Sequence, residues 1–223
     1  MINSKKITGR MLVTVLMIFF FLLVMSFHHI PKLFHEVLGL VWLGVTMLHL
    51  WQNRKWFKSF AQGRWTTIRI INTVIDGLLL LTLLMVIIAG SGISNHLFKD
   101  LMPLDIRRSI TLHQLHVSLP YAMIILMGLH LGLHFDGWLN QWKRVISFTI
   151  PAKISKVVGL ALGVVIIAGG IYGSILHQVW NRLMMKHIFA TEAAGLPFGS
   201  YLILLLSIIG LYVIVGMAIR RIK

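Results

Sequence analysis

Long apolar segments dominate the chain and restrict it to one kind of fold. Six runs lie at about residues 11–27, 34–51, 70–91, 112–135, 157–176 and 200–219. A helix needs about 20 apolar residues to cross the hydrocarbon core of a bilayer, and these runs are close to that length. Hydrophobic residues make up 57% of the chain and charged residues only 12%, outside the range of soluble domains. The sequence therefore predicts an all-α membrane protein with six transmembrane helices.

The basic residues predict how these helices are oriented. The chain has 21 Lys and Arg and a formal net charge of +15. These residues lie in short connections rather than along one helix face, which favours contact with lipid headgroups and argues against nucleic acid. Fifteen of them lie at the two termini and in the second-to-third and fourth-to-fifth connections, against six on the other side. Both termini are therefore predicted to be cytoplasmic.

Two similar stretches carry equally spaced histidines. His35 and His49 lie fourteen residues apart in the second predicted helix, and His116 and His130 have the same spacing in the fourth. Fourteen residues fall about 40° short of four helical turns and rise about 21 Å, so both histidines of a helix share a face near opposite membrane surfaces. With six spans, the two helices run parallel. His35 is then expected at the level of His116, and His49 at the level of His130.

Imidazoles paired in this way are typical axial ligands of b-type haem. We predict that His35 and His116 bind the iron of an outer haem, and that His49 and His130 bind the iron of an inner haem. Buried imidazoles without such a partner would be costly. The chain contains no cysteine, which excludes iron–sulfur clusters ligated by cysteine and covalently attached c-type haem. Any haem is therefore expected to be held non-covalently.

Other frames for the ligands stay open in the fourth helix. His113 lies one turn from His116, and His134 lies one turn from His130, so His113 with His130, or His116 with His134, would also be suitably placed. We prefer His116 and His130 because only they repeat the interval of the second helix. His113 and His134 would then support the ligands or contact a haem propionate.

Two arginines precede the fourth helix on its predicted outer side. Arg107 and Arg108 could bind the propionates of the outer haem. Each of them also fits a plain role in setting the topology.

These motifs resemble those of a known family, the flavinylation-associated membrane cytochromes, first catalogued as a domain of unknown function. The resemblance covers about residues 31–138. The matching features are His35-Glu36 with Gly39 and His49, Ser91-Gly92-Ile93 closing the third helix, Arg107 ahead of His113, and His116 followed by His130-Leu131-Gly132-Leu133-His134. The chain departs from the family at Phe135-Asp136, where a His-Trp continuation is usual.

The resemblance implies a b-type haem protein that carries electrons across the membrane, often beside an extracytoplasmic domain with covalently attached flavin. It implies that His35, His49, His116 and His130 are haem ligands and that His134 belongs to the same motif. Any flavin would be carried by another protein.

The resulting expectation is a di-haem electron-transfer subunit rather than a stand-alone enzyme. Residues 1–140 are expected to form a haem-binding four-helix core, and residues 141–223 to add two further helices. The expected cofactors are two b-type haems, with a quinone as a further candidate. The expected partners are membrane lipid, a quinol or cytoplasmic-side donor, and an extracytoplasmic flavin-bearing or other redox protein. The expected location is a bacterial or archaeal cytoplasmic membrane.

Two alternatives belong to other functional classes. The first is a metal-ion transporter or a metal-dependent membrane enzyme that uses His130, His134 and Asp76. This alternative requires carboxylates at the level of the histidines, and the chain has only six Asp and Glu. For Asp76 itself, a cap at the interface or an ion pair with Arg69 is the simpler expectation. The second alternative is a cofactor-free membrane anchor subunit of a redox complex, which would be colourless.

Overall fold

The structure is a computed structural model, and it describes residues 9–59, 62–145, 151–186 and 190–221. The α-helices in these ranges are, in chain order, α1 (Gly9–Met25), α2 (Lys32–Gln52), α3 (Lys55–Ser59), α4 (Thr67–Gly92), α5 (Leu104–Arg107), α6 (Ile110–Leu133), α7 (Phe135–Val145), α8 (Ala152–Leu176), α9 (Val179–Leu183) and α10 (Phe198–Ile219). Two short 3-10 helices, Phe27–His29 and Glu192–Gly195, lie between them. All secondary structure in the described ranges is helical, so the prediction of an all-α protein is confirmed.

Five of these helices are long and apolar enough to cross a membrane. They are α2, α4, α6, α8 from Ile154 onward, and α10. Helix α1 is also apolar, but its described part has 17 residues, the lower end of the usual range for a span. The chain is therefore an integral membrane protein, as the sequence predicts.

The predicted apolar runs coincide with α1, α2, α4, α6, α8 and α10, although the ends differ by a few residues. Helix α4 begins earlier than predicted because the Thr66 side chain caps it, accepting a hydrogen bond from the Arg69 backbone N–H. Helix α6 begins earlier because Ser109 caps it in the same way, accepting from the backbone N–H of Leu112. Such caps satisfy backbone donors that the first turn of a helix leaves free.

Short helices that were not predicted follow both histidine-bearing helices. Helix α3 comes after α2, and α7 comes after α6. In α7 the rings of Trp138 and Trp142 lie 5.8 Å apart, and Lys143 and Arg144 occupy the last turn. Aromatic rings combined with basic residues on an amphipathic helix are typical of a segment that lies at the membrane surface.

Helix α6 lies at the centre of the packing. It packs along both α4 and α10, and α10 in turn packs along α8. Two glycines of α6 allow the close approach of α10. A Cβ atom on Gly128 would lie 2.7 Å from the carbonyl oxygen of Ile209, and one on Gly132 would lie 2.9 Å from Cα of Gly216 and closer still to the carbonyl oxygen of Val213. Helix α10 thus packs directly on the fourth of the predicted spans, and α8 packs on α10. The functional division of the chain near residue 140 stays a prediction.

The two helices that carry the matched histidines do not pack closely on each other. In the described chain α2 packs along α1, while its backbone makes at most slight contact with α4 and α6. We call the two ends of this region the His35 end, where α2 begins, and the His49 end, where α2 finishes. The α2 and α6 backbones are therefore farther apart than those of the packed helix pairs, and side chains lie between them.

Candidate functional site

The structure brings His35 and His116 together at the His35 end. Their ring centroids lie 5.9 Å apart and their planes are nearly perpendicular, at 88°. The Nδ1 atom of His35 lies 3.1 Å from the carbonyl oxygen of Val24, and that of His116 lies 3.2 Å from the carbonyl oxygen of Val86. A carbonyl can only accept, so Nδ1 carries the proton in both rings. Each Nε2 therefore keeps the lone pair that a metal ligand needs.

A glycine on α4 makes room for the His116 ring. A Cβ atom at Gly90 would lie 2.7 Å from Cε1 and 2.9 Å from Nδ1 of His116, closer than real Cβ contacts come. Gly90 follows Val86 by one helical turn, so both residues present the same face of α4 to the imidazole. Gly90 thus leaves space for the His116 ring, and the carbonyl oxygen of Val86 orients it.

Glu36 ties the start of α2 to the segment that follows α4. Its carboxylate accepts hydrogen bonds from the Ser94 hydroxyl at 2.8 Å, the Asn95 backbone N–H at 3.0 Å and the Leu97 backbone N–H at 2.8 Å. Hydrogen bonds to a charged acceptor are stronger than neutral ones. Because α4 also contacts His116, these hydrogen bonds help to set the position of His35 relative to His116.

The His49 end has a different arrangement. Nδ1 of His130 lies 2.7 Å from Oδ1 of Asp76 on α4. His49 lies near enough to His130 and Asp76 for their charges to interact. The His134 ring, just beyond α6, lies 4.8 Å from the His130 ring. One ligand atom from each of Asp76, His130 and His134 lies within 4.8 Å of the others, a spacing that could hold a metal ion.

The other predicted site residues are His113, Arg107 and Arg108. His113 is exposed, and its Nδ1 bonds to the carbonyl oxygen of Ser109 in its own first turn. Arg108 is exposed, whereas Arg107 is partly buried and its Nε atom is buried without a hydrogen-bond partner among the described residues. An unsatisfied guanidinium nitrogen near the His35 end is suited to an anionic group such as a propionate.

A second buried polar cluster lies beside the His35 end, where α6, α9 and α10 meet. His177 is fully buried, and its Nδ1 lies 3.1 Å from the Tyr121 hydroxyl. The buried Arg182 donates from Nε to the carbonyl oxygen of His177, and its guanidinium lies over the Tyr121 ring. The Tyr201 hydroxyl donates to the carbonyl oxygen of Met25. Burial, followed by the positive charge of Arg182, lowers the pKa of His177 from 6.5 to about 4.

The rings of His35 and His116 lie at about the distance expected of two imidazoles that share one metal ion. Bonds from a metal ion to imidazole nitrogen are about 2 Å long, so two imidazoles on opposite sides of one ion hold their nitrogens about 4 Å apart. The 5.9 Å between the ring centroids of His35 and His116 is of that order, since each centroid lies behind its own nitrogen. In His35, His116 and His130 the Nδ1 atom is engaged in a hydrogen bond, which leaves Nε2 for a metal.

Sequence reasoning missed several residues that build this region. For Asp76 the simpler expectation was a cap or an ion pair with Arg69, but its carboxylate pairs with His130, which the sequence grouped with it only in the metal-site alternative. Glu36 stood out only as part of the His35-Glu36 feature, with no role predicted for it, and Gly90 carried no signal that separates it from ordinary helix residues. His177 and Arg182 lie in the connection between the fifth and sixth predicted helices, where the sequence predicted no site, and both are buried.

The fold and the site together define a class, an all-α integral membrane protein with a contacting histidine pair, His35 and His116, at one end and a cluster of Asp76, His130 and His134 at the other. Comparison with known protein families, with characterised proteins and with solved structures finds no match to this chain.

Proposed function

We propose that the chain is a di-haem b-type cytochrome that carries electrons across the membrane. His35 and His116 would hold one haem, and His49 and His130 the other. The haems supply reversible one-electron chemistry, while the chain holds them non-covalently and keeps them apart from water. The donor would be a quinol or a cytoplasmic-side protein, and the acceptor an extracytoplasmic flavin-bearing or other redox protein.

The observation that carries this proposal is the tautomer that three of the four predicted ligands share. His35, His116 and His130 each use Nδ1 for a hydrogen bond to an oxygen, which leaves Nε2 as the metal-binding nitrogen. The loose packing of α2 against α6 adds support because a planar cofactor needs a slot between the helices that ligate it.

The proposed topology has six spans, with α1 as the first. Both termini, α3 and α7 would then lie on the cytoplasmic side, as the distribution of Lys and Arg favours. The His49 end would be cytoplasmic and the His35 end extracytoplasmic. The proposed location is the cytoplasmic membrane of a bacterium or an archaeon.

Optical spectra of the purified protein test the proposal. We expect a reduced-minus-oxidised spectrum of low-spin b-type haem, and two haems per chain. His35→Ala and His49→Ala should each lose one haem, and the two variants should lose different ones. A colourless protein after expression with ample haem would contradict the proposal and favour the cofactor-free anchor.

Single variants of the neighbouring histidines decide between the ligand frames. His113→Ala and His134→Ala should both keep two haems, as should the control His96→Ala, which changes an exposed histidine that belongs to none of the ligand frames. Loss of one haem from His113→Ala would instead assign His113 as a ligand. Loss of one haem from His134→Ala would do the same for His134.

The cluster of Asp76, His130 and His134 supports a second candidate function, a membrane protein that binds a divalent metal ion at the His49 end. It competes with the haem proposal because both use His130. Elemental analysis separates the two: a haem-free protein with one bound metal ion that His134→Ala releases would favour this candidate. Two haems retained in His134→Ala would exclude it.

A further inference from the structure

The two histidine pairs differ in what their Nδ1 protons bond to. At the His35 end both acceptors are peptide carbonyl oxygens, those of Val24 and Val86, at 3.1 and 3.2 Å. At the His49 end the acceptor for His130 is the side chain of Asp76, at a shorter 2.7 Å. One predicted ligand set is therefore bonded to neutral groups, and the other includes a bond to a carboxylate.

Asp76 lies in surroundings that strengthen the electrostatic effect of its carboxylate. The Asp76 side chain is only 15% exposed and lies within α4, a helix long and apolar enough to cross the membrane. Charges interact more strongly away from water because the effective dielectric constant is lower there. The neighbouring Asp136 offers a contrast at the same end, because its side chain is 64% exposed and pairs with Arg220 at 2.8 Å.

A carboxylate on the far nitrogen of an axial imidazole makes that imidazole a stronger electron donor to the metal. The ferric state carries one positive charge more than the ferrous state, so it gains more from a nearby negative charge. Reduction potentials of haem respond to hydrogen bonding around the ligands for this reason.

We infer that Asp76 lowers the reduction potential of the haem at the His49 end below that of the haem at the His35 end. This inference rests on the proposed function. An electron shared between the two sites then resides mainly at the His35 end, and the exchange moves one electron and no proton. In the proposed topology this bias favours transfer from a reductant on the cytoplasmic side to an oxidant outside.

A redox titration of the haem-loaded protein, followed optically, tests the inference. We expect the ratio of oxidised to reduced haem at a given ambient potential to differ at least tenfold between the sites, which is 59 mV for a one-electron couple. The two potentials are assigned with His35→Ala, which should keep the haem at the His49 end, and with His49→Ala, which should keep the other.

Asp76→Asn removes the charge with little change in size. It should raise the lower potential by at least the same tenfold factor and leave the higher one unchanged. Asp136→Asn, the matched control, removes an exposed charge from the same end and should shift the lower potential much less. Asp76→Glu keeps the charge and should keep the low potential.

Several results would overturn the inference. One is a pair of equal potentials, another is a lower potential at the His35 end, and a third is an unchanged lower potential in Asp76→Asn with both haems bound. If Asp76→Asn loses a haem, the single-haem variants His35→Ala and His49→Ala still decide the order of the potentials. A wild-type protein without haem would contradict the proposed function instead, so the two failures are distinguishable.

Discussion

Gly90→Ala should selectively disturb the site at the His35 end. The added Cβ would lie 2.7 Å from Cε1 of His116, about 0.7 Å short of ordinary van der Waals contact. The ring must therefore move away from α4 by roughly that distance. Because Val86 lies on the same face of α4, the movement lengthens the hydrogen bond from Nδ1 of His116, now 3.2 Å, to about 3.9 Å.

The cost of this displacement can be estimated from the contact it breaks. Losing one buried hydrogen bond costs about 1 kcal/mol, and the unsatisfied Nδ1–H adds to this. A shift of this size also misplaces the ligand nitrogen. We therefore expect the affinity for haem at the His35 end to fall at least about tenfold, equivalent to about 1.4 kcal/mol.

Titration of the purified, haem-depleted variant with haem checks this expectation. Gly90→Ala should need at least about tenfold more free haem to fill the site at the His35 end, while the site at the His49 end fills as in the unaltered protein. Gly77→Ala is the matched control because it makes the same change on α4 where a Cβ would meet nothing within 4 Å, and it should bind both haems with unchanged affinity. If Gly90→Ala holds two haems as tightly as Gly77→Ala, Gly90 is not needed to make room for the His116 ring.

Two further substitutions test the structure around the His35 end. Glu36→Gln weakens three hydrogen bonds to the segment after α4, so it should lower the free energy of unfolding by about 2 kcal/mol, measured by thermal unfolding. It should also reduce haem retention at the His35 end, measured as haem content. If its effect is no larger than that of Glu192→Gln, at an exposed position, these hydrogen bonds do not stabilise the His35 end. The pKa of His177 falls from 6.5 to about 4 on folding, so below pH 6.5 the unfolded chain takes up a proton that the folded chain does not. The free energy of unfolding should therefore fall by about 3 kcal/mol as the pH drops from 6.5 to 4. His177→Gln should make this fall shallower in thermal unfolding measured across that range, and an unchanged slope would show that His177 does not titrate as described.

The membrane helices could be predicted from the sequence because their signal is local. A run such as Ile70–Ser91 can satisfy its backbone in a bilayer only by forming a helix, whatever its neighbours are. The ends of the helices were less predictable, since they depend on single capping residues such as Thr66 and Ser109. Helices α3 and α7 are short and amphipathic, so they did not stand out as apolar runs.

The candidate site was only partly predictable for a related reason. The spacing of His35 and His49, and of His116 and His130, is a property of each helix alone. The preference for His116 over His113 as the neighbour of His35 also followed from that spacing, and the structure places the His116 ring next to His35. The assignment of these histidines as haem ligands stays a prediction.

The sequence by itself determined that this chain enters a membrane as helices and that its histidines lie on matched faces at two depths. Both follow from periodicity within single segments. Only the tertiary structure decided which groups meet: Asp76 with His130, Glu36 with the segment after α4, and α6 with α10. Such contacts join residues far apart in the chain, and they depend on how each helix is rotated and which helices pack side by side. Helical periodicity sets neither of these, because every helix has several faces and several potential neighbours.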